Sequence, residues 1–266
     1  MHHGQLAVLV QVNEFLIIGG AGIGSMIIGN RPETLKRVVS QTLGLLKPSV
    51  FNEHAYAELL KVLYTVFQAA RKDGLMGLEA HVENPATSAL FRRFPIFMGH
   101  PPAVALVCDT VKVLLAGAVD DHHLAEILET DLEQQHHEAM AAPTALTKTG
   151  DAMPGFGIVA AVLGVIITMA SIGGAASEIG EKVAAALVGT FLGILLAYGV
   201  FGPIAQAIEG RIASEHAYML CIKTALLAFA RGDSPVSAVE FARRNIEPGE
   251  RPSFAALEAL VRTKAA

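Results

Sequence analysis

Tryptophan is absent from this 266-residue chain, and aromatic residues make up only 6% of it, so a membrane-embedded form would have a weak aromatic belt. Charge is scarce as well: 17% of residues are Asp, Glu, Lys or Arg, against the roughly 25% usual in soluble domains. The net charge is −5, without the basic stripe that nucleic acid demands, so no nucleic-acid partner is expected. The two cysteines, Cys108 and Cys221, lie far apart in apolar helical surroundings and read as buried free thiols. No H-E-x-x-H and no closely spaced Cys/His set occurs, which excludes a recognisable metal site. No nucleophile can be paired with a base, so neither an enzyme nor a cofactor is expected. No basic segment followed by a short apolar run and a cleavage site opens the chain, so no cleaved leader is expected.

What the chain has in abundance is apolar length. Ala152 to Ser177 and Val183 to Ile208 are each 26 residues without a charged side chain, separated only by Glu178 to Lys182. About 20 apolar residues at 1.5 Å per residue cross a hydrocarbon core of about 30 Å, so the pair reads as a membrane hairpin. Asp151 stands at its mouth. Phe15 to Ile28 is a third uncharged stretch of 14 residues, too short alone. Extended back to Leu6 it becomes a span, at the cost of including Asn13 and Glu14, whose carboxyl can reach the interface or stay protonated.

Eleven Lys and Arg lie between Asn30 and Gly150, eight follow Ile208, and only Lys182 marks the hairpin tip. Positive charge stays on the cytoplasmic side, so the tip faces outward and three spans place Met1 outside. The organisation expected is a transmembrane segment over 1–29, a helical cytoplasmic domain over 30–150, a transmembrane hairpin over 151–208 and cytoplasmic helices over 209–266. Glu53 to Lys72 shows one apolar helical stripe at Leu59, Leu60, Leu63, Val66, Phe67 and Ala70. Ala103 to Ala118, His122 to Met140, Ser214 to Arg231, Pro235 to Asn245 and Ser253 to Lys264 read as further helices. No stretch sustains period-2 alternation, so the fold class is all-α, a polytopic membrane protein with three spans.

Several motifs carry more than one reading. Gly20-Ala21-Gly22-Ile23-Gly24-Ser25 lacks the last glycine and the β-α-β setting of a dinucleotide loop. Gly20 with Gly24, Ala21 with Ser25, and Gly189 with Gly193 fit close helix packing in a membrane instead. His122-His123 and His136-His137-Glu138 are fourteen residues apart, about 21 Å along a helix, and read as a solvated face. Arg71 and Glu79 frame the Gly74 to Gly77 turn and by themselves read as solvated charges. Thr190 and Tyr198 are the polar positions on nearly one face of the last span. Pro154 and Pro203, near the cytoplasmic ends, each remove an N–H and either punctuate the helix or let it hinge.

Gly150-Asp151-Ala-Met-Pro154-Gly-Phe156-Gly157 and Gly189-Thr190-Phe191-Leu192-Gly193 running on to Ala197-Tyr198-Gly199 resemble the MotA family of flagellar stator proteins. That family belongs to the proton channels shared with TolQ and ExbB. Ile17 to Asn30, Leu78-Glu79, Glu83-Asn84-Pro85 and Glu250 to Phe254 also fit, so the likeness runs from about Gly4 to Ser253. It implies a proton-conducting stator subunit in the bacterial inner membrane, in contact with membrane lipid. Five copies would enclose two helices of MotB, which supplies the protonatable Asp and the peptidoglycan anchor. The cytoplasmic domain would turn the rotor protein FliG. On this resemblance Arg71 and Glu79 are the positive and negative rotor-facing residues. Pro154 and Pro203 are the prolines at the cytoplasmic end of the channel, and Thr190 and Tyr198 line the pore. The family carries a further, lipid-facing span ahead of the Leu6 to Ile28 segment, four in all, and its Pro before the N-terminal Glu is replaced here by Val12.

Sodium-type relatives place a second threonine seven residues after the first proline. Here that position is Ala161, which leaves a stripped sodium ion one oxygen short and favours protons. Two other readings compete: a TolQ/ExbB-like energy transducer of the cell envelope, and an inert scaffold whose hairpin merely oligomerises.

Overall fold

The computed structural model describes residues 11–117, 120–169, 173 and 176–262. Among these, every regular element is helical. The helices are α1 (Val12–Gly29), α2 (Pro32–Gly44), α3 (Glu53–Asp73), α4 (Glu79–Glu83), α5 (Pro95–Met98) and α6 (Pro101–Ala116). They continue as α7 (Asp121–Met169), α8 (Ala176–Leu196), α9 (Gly202–Ala230), α10 (Pro235–Arg244) and α11 (Phe254–Arg262). The chain divides into two compact units, Met1–Lys47 with Ala139–Gly210, and Pro48–Glu138 with Arg211–Ala266.

Among the described residues three stretches are long and apolar enough to cross a membrane: Val12–Gly29, Asp121–Met169 and Lys182–Ala230. The extension of the first span over Leu6 to Val10, and part of the hairpin tip, lie outside the described residues. In the first unit α1 ends where Asn30 Nδ2 donates to the Met26 carbonyl at 2.8 Å. Pro32 then opens α2, where its missing N–H costs nothing. Pro143 and Pro154 both sit inside α7, which stays α-helical through them. The boundaries proposed at 150 and 208 therefore fall within α7 and α9 rather than between elements.

In the second unit Asn52 caps α3, accepting from the Ala55 N–H at 3.1 Å. The whole expected stripe of α3 is buried, from Leu59 to Ala70, in a core shared with Tyr218, Ile222 and Leu226 of α9. Phe67 stacks on Phe229 with ring centroids 4.4 Å apart. His100 joins α6 to α9. Its Nδ1 accepts from the Ala103 N–H, so the proton rides on Nε2, which donates to Glu215 at 2.8 Å. Cys108 and Cys221 are buried and unbridged, and burial pushes the Cys108 thiol up to about 11.

The histidines divide. His122 and His123 are exposed beside Glu126 and Asp120, as a solvated face requires. His136 is not part of such a face: its ring packs 4.7 Å from that of His216, with a buried Nδ1. Sequence spacing within α7 could not show a neighbour that arrives from α9.

Candidate functional site

Backbone contact builds the membrane hairpin. A Cβ on Gly157 would stand 2.7 Å from the Gly189 carbonyl oxygen, and one on Gly193 would stand 2.6 Å from the Met153 carbonyl oxygen. Two turns further along α7, a Cβ on Gly164 would lie 2.9 Å from Ala186 Cβ. Glycine is required here because any side chain would separate α7 from α8. The Gly189/Gly193 pairing expected from sequence is thus a real seam, and its partner is Gly157. The N-terminal glycines behave otherwise. Among the described residues a Cβ on Gly20 or Gly24 meets nothing within 4 Å, whereas one on Gly22 would strike Met153. The buried residues of α1 are Glu14, Ile18 and Gly22, at i, i+4 and i+8, so the helix turns that stripe inward and leaves Gly20 and Gly24 outside it.

Asp151, Pro154, Ile158 and Ala161 recur at three- and four-residue steps and so share one face of α7. Asp151 is exposed, while Pro154 and Ala161 are half-buried. Ala161 lines an apolar recess with Ile158, Val165, Val183, Ala186 and Leu187. Thr190, half-buried, follows Leu187 by three residues on α8, and its Cα would lie 3.3 Å from a Cβ on Gly157, beside the seam.

Tyr198 falls in a different conformation. Ala197–Phe201 is a π-helical turn, closed by the Gly202 N–H donating to the Ala197 carbonyl five residues back. Pro203 supplies the reason: it lacks an N–H, and its ring would clash with the carbonyl four residues earlier, so the chain widens one turn ahead of it. Pro203 is therefore a register-shifting residue as well as a helix-end signal. Tyr198 thus lies in the wide turn, beyond the α-helical run that carries Thr190, and is 74% exposed. A Cβ on Gly150 would lie 2.9 Å from Phe201 Cβ, so the residue before Asp151 packs on this wide turn.

The sequence underrated Glu14. Its side chain is 6% accessible, and its Oε2 is buried without a hydrogen-bond partner among the described residues. That oxygen rests on Gly189, 2.7 Å from where a Cβ would be. The i, i+4, i+8 spacing with Ile18 and Gly22 was the signal that places Glu14 on one face with them.

In the second unit Arg71 and Glu79 are both exposed and form no ion pair with each other among the described residues. Gly74, at φ 73°, ends α3, and a turn at Leu75–Leu78 leads into α4 with Glu79 as its first residue. The positive φ suits glycine and sets the angle at which Glu79 leaves the turn. The carboxylate at a helix N-terminus is also favourably placed against the backbone dipole. Arg71 is less free than its exposure suggests, because its guanidinium donates to the carbonyls of Gly232 and Asp233. No group of three or more metal-ligating side chains occurs among the described residues.

A family model described as Motility protein A N-terminal matches residues 1–74, and another, the MotA/TolQ/ExbB proton channel family, matches residues 104–220. Motility protein A of Salmonella typhimurium is 37% identical over 262 residues, covering 98% of this chain and 89% of that protein. Motility protein A of Escherichia coli is 36% identical over the same shares. Chemotaxis protein LafT of Vibrio parahaemolyticus is 34% identical, covering 96% of this chain and 90% of its own length. Among solved structures, MotAB of C. jejuni aligns with a TM-score of 0.75 at 18% identity, over 95% of this chain and 91% of that one. The MotAB stator complex of Bacillus subtilis aligns with a TM-score of 0.65 at 21% identity, over 88% and 84%. At such identities the structural likeness speaks to the fold alone.

Proposed function

The chain belongs to the MotA/TolQ/ExbB proton channel family, and from that premise we propose that its hairpin forms one wall of a proton path completed by a MotB-type partner. The protein is a multi-pass membrane protein and a proton-conducting stator subunit of the bacterial flagellar motor; it is not an enzyme. The envelope-transducer reading is not favoured, because the likeness to Motility protein A extends over 98% of the chain.

The observation that carries the mechanism is a hairpin of two uncharged runs sealed glycine-on-glycine. Its outward face is Asp151, Pro154, Ile158 and Ala161 on α7 with Leu187 and Thr190 on α8. A proton needs a titrating group at mid-depth, and this face offers none, so the conducting Asp belongs to the partner. Thr190 supplies one hydroxyl beside that carboxylate and Tyr198 a phenol toward the cytoplasmic end. With only the Thr190 oxygen and an apolar recess at Ala161, a dehydrated sodium ion is poorly held, and protons are the coupling ion. Asp151 marks the cytoplasmic mouth, where protons would leave.

Large exposed side chains such as Val162, Ile166 and Phe191 on the hairpin suit contact with neighbouring copies, the partner helices and lipid, consistent with five copies around two MotB helices in the inner membrane. Arg71 and Glu79, both exposed, would meet complementary charges on FliG and pass on torque. Residues 30–150 and 209–266 would form the cytoplasmic part.

The test is proton flux through vesicles holding the complex with its partner. Acidification that persists when sodium is replaced by potassium is expected. Flux no greater than that of vesicles with the partner alone, or flux that requires sodium, would sink the proposal.

A further inference from the structure

We propose that Glu14 is a proton-binding residue set behind the wall of the ion path, held as a neutral acid at rest, which fixes the pH range of conduction without carrying the flux. The inference rests on the channel reading above. Its basis is geometric. Glu14 is 94% buried (6% accessible), and its Oε2 has no hydrogen-bond partner among the described residues. That oxygen fills a notch that only glycine leaves open: a Cβ at Gly189 would lie 2.7 Å from it and 3.3 Å from both Ala160 Cβ and the Gly157 carbonyl oxygen. Ile18 and Gly22, buried on the same stripe, hold α1 in that phase.

Among the described residues no counter-ion answers the carboxyl. The elements packed on it present Gly157 and Ala160 from α7 and Gly189 from α8. Along those helices the first charged groups are Asp151, nine residues before Ala160, and Lys182, seven before Gly189, about 10 Å or more away along the axis. Lys182 has an interaction of its own. A carboxylate taken out of water without a cation or donors loses more than such a site returns, so the acid form is retained. Ionising it requires water in the notch, and water there must part α1 from the Gly157/Gly189 seam. Thr190, the expected wall residue, adjoins Gly189 and would move with it. Loss of the Glu14 proton under alkali is therefore a shape change in the wall.

Flux through partner-containing vesicles, measured against pH, tests this with Glu14→Gln and Glu14→Asp. In the wild type flux falls through the alkaline range. Glu14→Gln, unable to ionise, abolishes that fall, with flux at least about fivefold higher at the alkaline end. Glu14→Asp draws the acid back from Gly189 and moves the fall toward neutral pH. A neutral-carboxyl infrared band, absent from Glu14→Gln, accompanies this in complexes whose partner carries an amide in place of its conducting acid. Superimposed wild-type and Glu14→Gln profiles overturn the inference. So does a normally assembled Glu14→Gln complex without flux at any pH, because Glu14 would then carry the current. If Glu14→Gln fails to assemble, an unshifted Glu14→Asp profile overturns it. Wild-type vesicles without flux refute the channel reading instead, and the infrared band then decides for or against a neutral Glu14.

Discussion

Arg71 donates through Nη2 to two successive backbone carbonyls, Gly232 at 2.8 Å and Asp233 at 3.1 Å. Gly232, at φ 94°, ends α9, and its carbonyl and the next meet one guanidinium nitrogen. The charge that would face the rotor thus also ties the end of α3 to the turn between α9 and α10.

Arg71 substitutions should accordingly separate charge from structure. Arg71→Lys keeps the charge but not the planar fork, and should retain more swimming than Arg71→Glu. Arg71→Ala should lower stability by about 1 kcal/mol, as expected for hydrogen bonds at an exposed site. The charge exchange Arg71→Glu with Glu79→Lys should abolish most motility, since it also removes the clamp. Undiminished swimming of that double variant in a deletion strain would argue against the rotor-facing role.

The seam between α7 and α8 makes a sharper prediction. Gly157→Ala and Gly193→Ala place a methyl 2.7 and 2.6 Å from backbone oxygens that cannot give way, so the helices must part. Each should cost about 1–3 kcal/mol and strongly reduce flux. Gly155→Ala, where a Cβ meets nothing within 4 Å among the described residues, is the control. Thermal melting of the purified complexes, alongside vesicle flux, compares them.

Pro203→Ala restores an N–H four residues after the Gly199 carbonyl and removes the ring that forces the wide turn. The segment Ala197–Phe201 should then relax toward α geometry and re-aim Tyr198. The expected outcome is a fold as stable as the parent or more so, with flux lowered severalfold. Parental flux in a variant shown to have lost the π-turn would separate that turn from conduction.

Glu240 offers a pH test away from the membrane. Hydrogen bonds from Arg243, at 2.6 and 2.9 Å, and from Arg244, at 2.9 Å, hold its carboxyl below the ordinary carboxylate value of 4.5. Since the folded value lies lower than the unfolded one, the stabilisation is complete above 4.5 and fades as pH falls through the folded value. Glu240→Gln should therefore be less stable at neutral pH, by about 1 kcal/mol, and the difference should close as pH falls through the folded value.

Local pattern made much of this legible. The α3 stripe from Leu59 to Ala70, the two uncharged runs and the Gly189/Gly193 pair all follow from one element's own periodicity, and the structure buries or joins them accordingly. What escaped depends on a partner distant in sequence. That Gly20 and Gly24 do not pack on the hairpin of their own chain was hidden, because spacing reveals a face but not which way it turns. His136 looked solvated because His216 comes from α9. Arg71 looked free because backbone carbonyls, unlike side chains, leave no trace in composition. The π-turn was hidden because Pro203 announces a lost hydrogen bond but not how the chain absorbs it.

The contact of Glu14 Oε2 with Gly189 binds two distant positions into one unit of inheritance. A larger residue at 189 leaves no room for the acid, and a smaller one at 14 leaves a void that no glycine fills. Substitution at either site alone is therefore a step downhill, and the pair should change together or not at all. An exchange of α1 between relatives succeeds only when the donor's residue at the notch travels with it.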